Sequence, residues 1–312
     1  MRKPSDAATV LHIGGVPNAK QKLFFASRAR YTAYGGARGG GKSWALRRKL
    51  AALCLHYPGI RCLLVRRSYA ELKANHVEPL LREYAGLMTY RETDKRLDLP
   101  NGSSISLGYC SSNRDVLRYQ GQEYDIIAID EATQLNEYQF SIFKACLRGV
   151  GAVPRRMYLT CNPGGVGHEW VKRLFISRRY RETENPGDYE FIPATIDDNK
   201  VLLESDPGYV NMLNNLSDGL RQAWRDGNWD MLAGQYFSEF DRPIHVAEPF
   251  DIPAHWKRYR TIDYGLDCLA CLWIAIDERG DYYVYKEYAK SDKVISEGAE
   301  DILKFSEGEN IL

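Results

Sequence analysis

The chain has 312 residues, enough for a core domain of about 200 residues plus something smaller. Apolar residues make up 44% and charged residues 27%, close to the averages of globular proteins, which argues against wholesale disorder. The net charge of +1 does not mark a nucleic-acid binder, and no run approaches the roughly 18 uncharged apolar residues of a membrane span, so an intracellular soluble protein is expected.

Met1-Arg2-Lys3 leads into Pro4, Ser5 and Asp6 rather than into the apolar core of a signal peptide. The first thirty residues read as a lead-in, with Pro17-Asn18-Ala19 as a turn before Leu23-Phe24-Phe25. A regular alternation then begins. Short β-branched or aromatic runs at Tyr31 to Tyr34, Cys62 to Val65, Ile126 to Ile129 and Met157 to Cys161 alternate with amphipathic stretches near 43 to 56, 68 to 87, 137 to 148 and 168 to 178. This spacing predicts an α/β fold, a mainly parallel sheet covered by helices. Leu97 to Leu107, with Pro100-Asn101-Gly102 at its centre, predicts a hairpin.

From about 195 to 232 the pattern turns helical and polar, and Trp224 and Trp229 are spaced to brace a small helical subdomain. Pro243, Pro249 and Pro253 stiffen a linker after it. Tyr259 to Tyr264, Leu269 to Ile276 and Tyr282 to Tyr288 then read as strands, with a turn at Asp277-Glu278-Arg279-Gly280 and a helix starting within Ile295 to Phe305. Three strands and one helix are too little for an independent domain. The seven cysteines, Cys54, Cys62, Cys110, Cys146, Cys161, Cys268 and Cys271, lie scattered in apolar segments and suit buried thiols in a reducing compartment. Cys268 and Cys271 have metal-ligand spacing but no second pair, and on a strand they would face opposite sides.

The densest chemistry lies early. Gly36-Ala37-Arg38-Gly39-Gly40-Gly41-Lys42-Ser43 matches G-x-x-x-x-G-K-[ST] between a predicted strand and a predicted helix. Gly36, Gly39, Gly40 and Gly41 let main-chain amides approach phosphates, the helix N-terminus adds its dipole, Lys42 meets the β- and γ-phosphates, and Ser43 ligates Mg²⁺. The run Tyr124 to Glu131 is an apolar strand that ends in two acids, at the sheet end where a nucleotide lies. Asp130 is therefore expected to hold the Mg²⁺ shell and Glu131 to polarise the water that attacks the γ-phosphate. Thr160 and Asn162 end the next strand beside Glu131, where a γ-phosphate sensor can be built.

These motifs, in this order, resemble the ATPase of the large terminase subunits of tailed bacteriophages, over most of the chain. Gly35 to Ser43, Arg66-Arg67, Tyr119 to Glu123, Thr160 to Gly165 and the stretch from Trp224 through Gln235, which resembles the segment closing the family's ATPase lid, all fit. The resemblance implies that Gln21, in Pro17-Asn18-Ala19-Lys20-Gln21, reads the adenine edge and that Arg38 contacts phosphate in cis. It also implies a P-loop ATPase core over 1–195, a helical lid over 196–240, a linker over 241–257 and, over 258–312, the start of a ribonuclease H-like nuclease domain. Asp263 would be the first ligand of a two-metal Mg²⁺ or Mn²⁺ site, with the remaining acids beyond Leu312, so the nuclease is expected to be incomplete and its activity doubtful; Asp267 and Asp277 have no evident place in the cluster.

The function so implied is an ATP-hydrolysing motor that moves double-stranded DNA into a procapsid. Its implied partners are DNA, a portal protein, a small terminase subunit and ring-forming copies of itself, in the cytoplasm of an infected or lysogenic bacterial host and transiently at the procapsid portal. The trans arginine is open among Arg114, Arg118, Arg66 and Arg67. Candidate phosphate contacts are Arg155-Arg156, Lys172-Arg173 and Arg178-Arg179. A helicase-like or repair ATPase is the alternative, although a second motor domain with its own arginine motifs would be expected for it. A non-hydrolysing nucleotide module would not need Glu131.

Overall fold

The computed structural model describes residues 14–151, 153–230, 242–265, 268–291 and 293–312; Gln235, Asp267 and the expected boundary at 240 and 241 lie outside them. The chain divides into two compact units, residues 1–238 and 239–312. In the first unit the strands are β1 (Tyr31–Gly36), β2 (Arg61–Arg66), β3 (Thr89–Arg91), β4 (Arg96–Asp98), β5 (Ser104–Tyr109), β6 (Ile126–Ile129), β7 (Arg156–Cys161) and β8 (Tyr189–Ala194). They form one sheet in the order β3-β4-β5-β2-β6-β7-β1-β8. The six strands from β5 to β8 in that order are parallel, and β3 and β4 add an antiparallel edge.

Alternation along the buried strands builds two cores, one on each face of the sheet. Tyr34, Cys62, Leu64, Ile126, Ala128 and Tyr158 point to one face, with Leu46 and Leu50 of the helix Lys42–His56. Ala33, Leu63, Val65, Ile127, Ile129 and Leu159 point to the other, with Phe140 and Phe143 of the helix Glu137–Cys146. Each large side chain removed from water in this way contributes about 1.5–3 kcal/mol.

The structure corrects four expectations. The segment read as a lead-in contains the helix Ala19–Ala26, and Asn18 is not in a turn but caps that helix, reciprocally with Gln21. The amphipathic stretch from 68 is not one helix: Tyr69–Leu72 and Glu78–Glu83 flank a π-helical segment, Lys73–Val77. β8 was not expected; Pro193 is tolerated because β8 lies at the sheet edge beyond β1. Trp229 does not brace the helical segments Lys200–Ser205, Pro207–Asn214 and Asp218–Trp224, because its ring is buried against His168 and Phe191 of the sheet core.

In the second unit, β9 (Lys257–Tyr264), β10 (Leu269–Ile276) and β11 (Tyr282–Lys290) form an antiparallel sheet in the order β11-β10-β9. The helix Ile295–Phe305 closes one face, and Leu269, Cys271, Trp273, Tyr288 and Ile302 gather into a small core of the unit's own. The indole of Trp273 donates to Ser306 Oγ at 3.0 Å. Asp277 accepts from the amides of Arg279 and Asp281, so it holds the β10–β11 turn. No helix among the described residues is long and apolar enough to cross a membrane.

Candidate nucleotide site

Strand order brings three distant stretches of sequence to one end of the sheet. β7 lies between β1 and β6, with Gly35 paired to Cys161 and Ile129 paired to Leu159. The loop after β1, the acids after β6 and Thr160 of β7 therefore sit side by side. The loop is glycine-rich for steric reasons: Gly36 has φ +127° and a Cβ there would stand 2.5 Å from Ala194 O, while Gly41 has φ +71° and a Cβ would stand 2.7 Å from Gln21 Nε2.

Asp130 is buried and is the hub of the site. Its Oδ1 accepts from Ser43 Oγ at 3.0 Å and from Thr160 Oγ1 at 2.5 Å; its Oδ2 accepts from Arg66 Nη1 at 2.9 Å and meets His76 Nε2 at 2.8 Å. Burial works against its ionisation, but His76, Arg66 and Thr160 together hold its carboxyl well below the usual carboxylate range. Arg66 also reaches Glu131 at 3.4 Å and Glu71 at 3.0 Å. Glu131 takes Gln134 Nε2 at 3.0 Å, its own amide donates to Thr160 Oγ1 at 2.9 Å, and its backbone is left-handed at φ 56°.

Lys42 is buried, and its ammonium donates to Ala37 O. Burial pushes it down to about 8, with Glu131 and Asp130 pulling the other way. Asn199 Nδ2 donates to Gly39 O at 2.6 Å, and Tyr34 OH to Gly40 O at 3.3 Å. A cavity of about 590 Å³ opens over this cluster, lined among others by Arg38, Gly39, Gly40, Glu131, Thr160 and Asn162. A neighbouring cavity of about 820 Å³, lined by Asn18, Gln21, Val201 and Leu202 among others, shares Gly41 and Trp44 with it. The Asn162 Oδ1 atom is buried with no hydrogen-bond partner among the described residues, so the cavity wall carries an acceptor in want of a donor.

The family model described as "Terminase large subunit, T4likevirus-type, N-terminal" matches residues 33–243. The chain belongs to that terminase family. Among solved structures, the fold is shared with the large terminase of the thermophilic bacteriophage D6E, at 19% identity and a TM-score of 0.59, over 95% of this chain and 75% of that one. The same D6E protein matches in complex with ADP, at 19% identity and a TM-score of 0.56, over 94% of this chain and 75% of that one. No curated protein sequence matches the chain.

In this terminase large subunit several expected residues meet and others do not. Gly36, Gly39, Gly40, Gly41, Lys42, Ser43, Asp130, Glu131 and Thr160 share one cluster. The Gln21 carboxamide borders the second cavity, but its oxygen accepts from Asn18 N at 2.9 Å and its nitrogen donates to Gly41 O at 3.2 Å, so it braces the loop. Arg38 lays its guanidinium 3.4 Å from the Trp224 ring centroid. Asp263 is exposed on β9, and no group of three or more His, Cys, Asp or Glu gathers among the described residues.

Of the arginines left open as a trans group, Arg66 is committed to the acids of its own site, and Arg118 pairs with Asp115 and covers the Tyr109 ring at 4.2 Å. Arg114 and Arg67 are exposed. Among the basic doublets, Arg173 is tied to Glu137 and Glu184, Lys172 to Asp230 and Arg155 to Asp125. Two site residues escaped the sequence reading. His76 lies on the π-helical segment and touches Asp130, and His168 lies four residues beyond Gly164; a histidine on an amphipathic stretch carries no local signal of either partner.

Proposed function

We propose that this terminase large subunit binds ATP with Mg²⁺ across the two joined cavities and hydrolyses it to drive double-stranded DNA into a procapsid. The observation that carries the reading is the convergence of Ser43, Asp130, Glu131 and Thr160 at adjacent strand ends, next to a loop whose glycines leave room for phosphate. The D6E relatives that hold ADP and ATP-γ-S add support.

The chemistry follows from the donors. Main-chain amides of Gly39 to Lys42 face the phosphates, and Lys42 turns from Ala37 O to the β- and γ-oxygens, where its charge is matched. The Ser43 hydroxyl and the Asp130 carboxylate are hard oxygen ligands 3.0 Å apart, the donor set a magnesium ion takes together with phosphate and water. When bound, Mg²⁺ would neutralise phosphate charge there. Glu131 orients and deprotonates the attacking water, Thr160 keeps the two acids in register, Asn162 senses the γ-phosphate, and Arg38 leaves the Trp224 ring to contact phosphate. Val16, Trp44 and Val201 give the larger cavity the apolar walls that suit a base, with Gln21 at its edge.

The second unit is read as the opening part of a ribonuclease H-like nuclease, with Asp263 on its first strand as one ligand of a Mg²⁺ or Mn²⁺ pair. The domain limits proposed from the sequence, the portal and small-subunit partners, the ring and the location at the procapsid portal go with this reading. The test is ATP turnover by the purified protein with Mg²⁺, DNA and procapsids. Turnover per subunit is expected to rise with protein concentration, because a trans arginine contributes large rate factors. Absence of ATP turnover under these conditions overturns the reading, and turnover that stays flat through the assembly range removes the trans arginine.

A further inference from the structure

The segment from Trp224 to Trp229 runs as a strap across the ends of β1 and β7. On the β1 side Arg38 N donates to Trp224 O at 2.6 Å, and Gly227 lies so close that a Cβ there would stand 2.8 Å from Ala37 N. On the β7 side the contact is a buried histidine. Gly164 N donates to His168 Nδ1 at 2.9 Å, and His168 Nε2 lies 3.1 Å from Trp229 O. A ring that accepts at Nδ1 and faces a carbonyl with Nε2 must be neutral, with its proton on Nε2. Burial favours the same neutral form. The charged groups around it are Glu169, 3.8 Å from Nε2, with Lys172 and Asp230, which pair with each other.

The loop that His168 holds is itself fastened to the turn that follows Glu131. Gly167 N donates to Thr133 O at 2.8 Å, and Trp170 Nε1 to Leu135 O at 2.8 Å, which locks the loop onto the residues just after Glu131. Gly165 has φ +82°, and a Cβ there would stand 2.6 Å from Thr133 O, so the loop cannot slide without losing these contacts. One imidazole thus joins the Thr160–Gly165 stretch to Trp229, in the segment that follows the helix Asp218–Trp224.

We propose that His168 is a positioning residue for ATP turnover: it links the loop bearing Thr160 and Asn162 to the strap at Trp229, so that on the β7 side a change at the γ-phosphate reaches the strap through one neutral ring, beside the β1-side bond of Arg38 N to Trp224 O. The role rests on the nucleotide reading above and adds to it a route of coupling.

His168→Asn keeps an acceptor near the Nδ1 position and loses the reach to Trp229. His168→Gln places a donor near the Nε2 position and loses the acceptor for Gly164. Each variant is measured for ATP-γ-S affinity, for turnover at saturating ATP, and for amide exchange over 200–230 with and without ATP-γ-S. Both are expected to bind within about threefold of wild type while turnover falls about 10- to 100-fold, and to lose the exchange response of 225–230 next to Trp229. A purely architectural histidine would lower affinity, turnover and melting temperature together.

Wild-type turnover with an intact exchange response in either variant overturns the role. Should the variants fail to fold, the unsubstituted protein decides: ATP-γ-S is expected to change exchange at the Gly164 amide and over 224–230 together, and a change in one alone overturns the link. A wild-type protein with no response to nucleotide removes both readings, whereas a responsive wild type with an indifferent variant removes this one alone.

Discussion

Two acids at strand ends, Asp130 after β6 and Asp263 in β9, show how differently a carboxylate can be held. Asp130 is buried, with both oxygens taken by Ser43, Thr160, Arg66 and His76. Asp263 is exposed, and no acidic group of three assembles around it among the described residues. A carboxylate in the low-dielectric interior needs matched donors to stay ionised, and those donors also fix its direction. In the first unit the acid is therefore held in one direction. In the second, a strand presents its acid to solvent.

The contrast breaks first at Glu131. Glu131→Gln is expected to lower ATP turnover by about 10²–10⁴-fold while leaving nucleotide affinity unchanged, measured by steady-state turnover beside equilibrium binding. Normal turnover in that variant would separate Glu131 from the chemistry. For the second unit the largest effect is on stability rather than chemistry. Trp273 is fully buried in a small core, so Trp273→Ala should cost that unit about 3–5 kcal/mol, read from amide exchange at Cys271 and Tyr288.

A smaller effect depends on pH. Burial lowers Lys42 from 10.5 to about 8, so the nucleotide-free protein loses this charge as pH rises through about 8. The triphosphate needs the charged form, so binding at pH 9 should take up about one proton and affinity should fall by up to about tenfold per pH unit above 8. Calorimetry in buffers of different ionisation enthalpy measures the uptake, and Lys42→Gln should abolish it. The same group has the opposite effect on folding. A base with a lowered folded value destabilises the nucleotide-free fold at pH below 8, and the cost fades as pH climbs from about 8 towards 10.5. The smallest effect is expected from Asp263→Asn, an exposed substitution that should leave ATP affinity and turnover within about twofold of wild type. A marked loss there would mean that the two units share chemistry.

Much of this was legible in the sequence because it is local. A phosphate loop writes its glycines, lysine and serine into eight consecutive positions, and β6 writes its acids directly after an apolar run. β10 alternates cleanly, and the turn at Asp277 sets it apart from β11. Elements whose reason lies far along the chain stayed hidden. β8 has an exposed proline and mixed burial, and only its pairing with β1 makes it a strand. The helix Ala19–Ala26 hides behind a proline-asparagine pair that reads equally as a turn, because a cap and a turn use the same residue types. His76 lies 54 positions from Asp130, and His168 lies 61 from Trp229, so neither partner can be found by periodicity. Trp229 has the spacing of a helical brace, yet the apolar pocket beside Phe191 and His168 claims it.

The left-handed backbone of Glu131 has a consequence for how this protein can be improved. A side-chain-bearing residue at φ 56° costs on the order of 1 kcal/mol that glycine would not. Glu131→Gly should therefore relax the turn and raise the melting temperature while silencing turnover. Selecting variants by heat resistance alone would drift towards inert protein at this position, so any such screen has to score phosphate release as well.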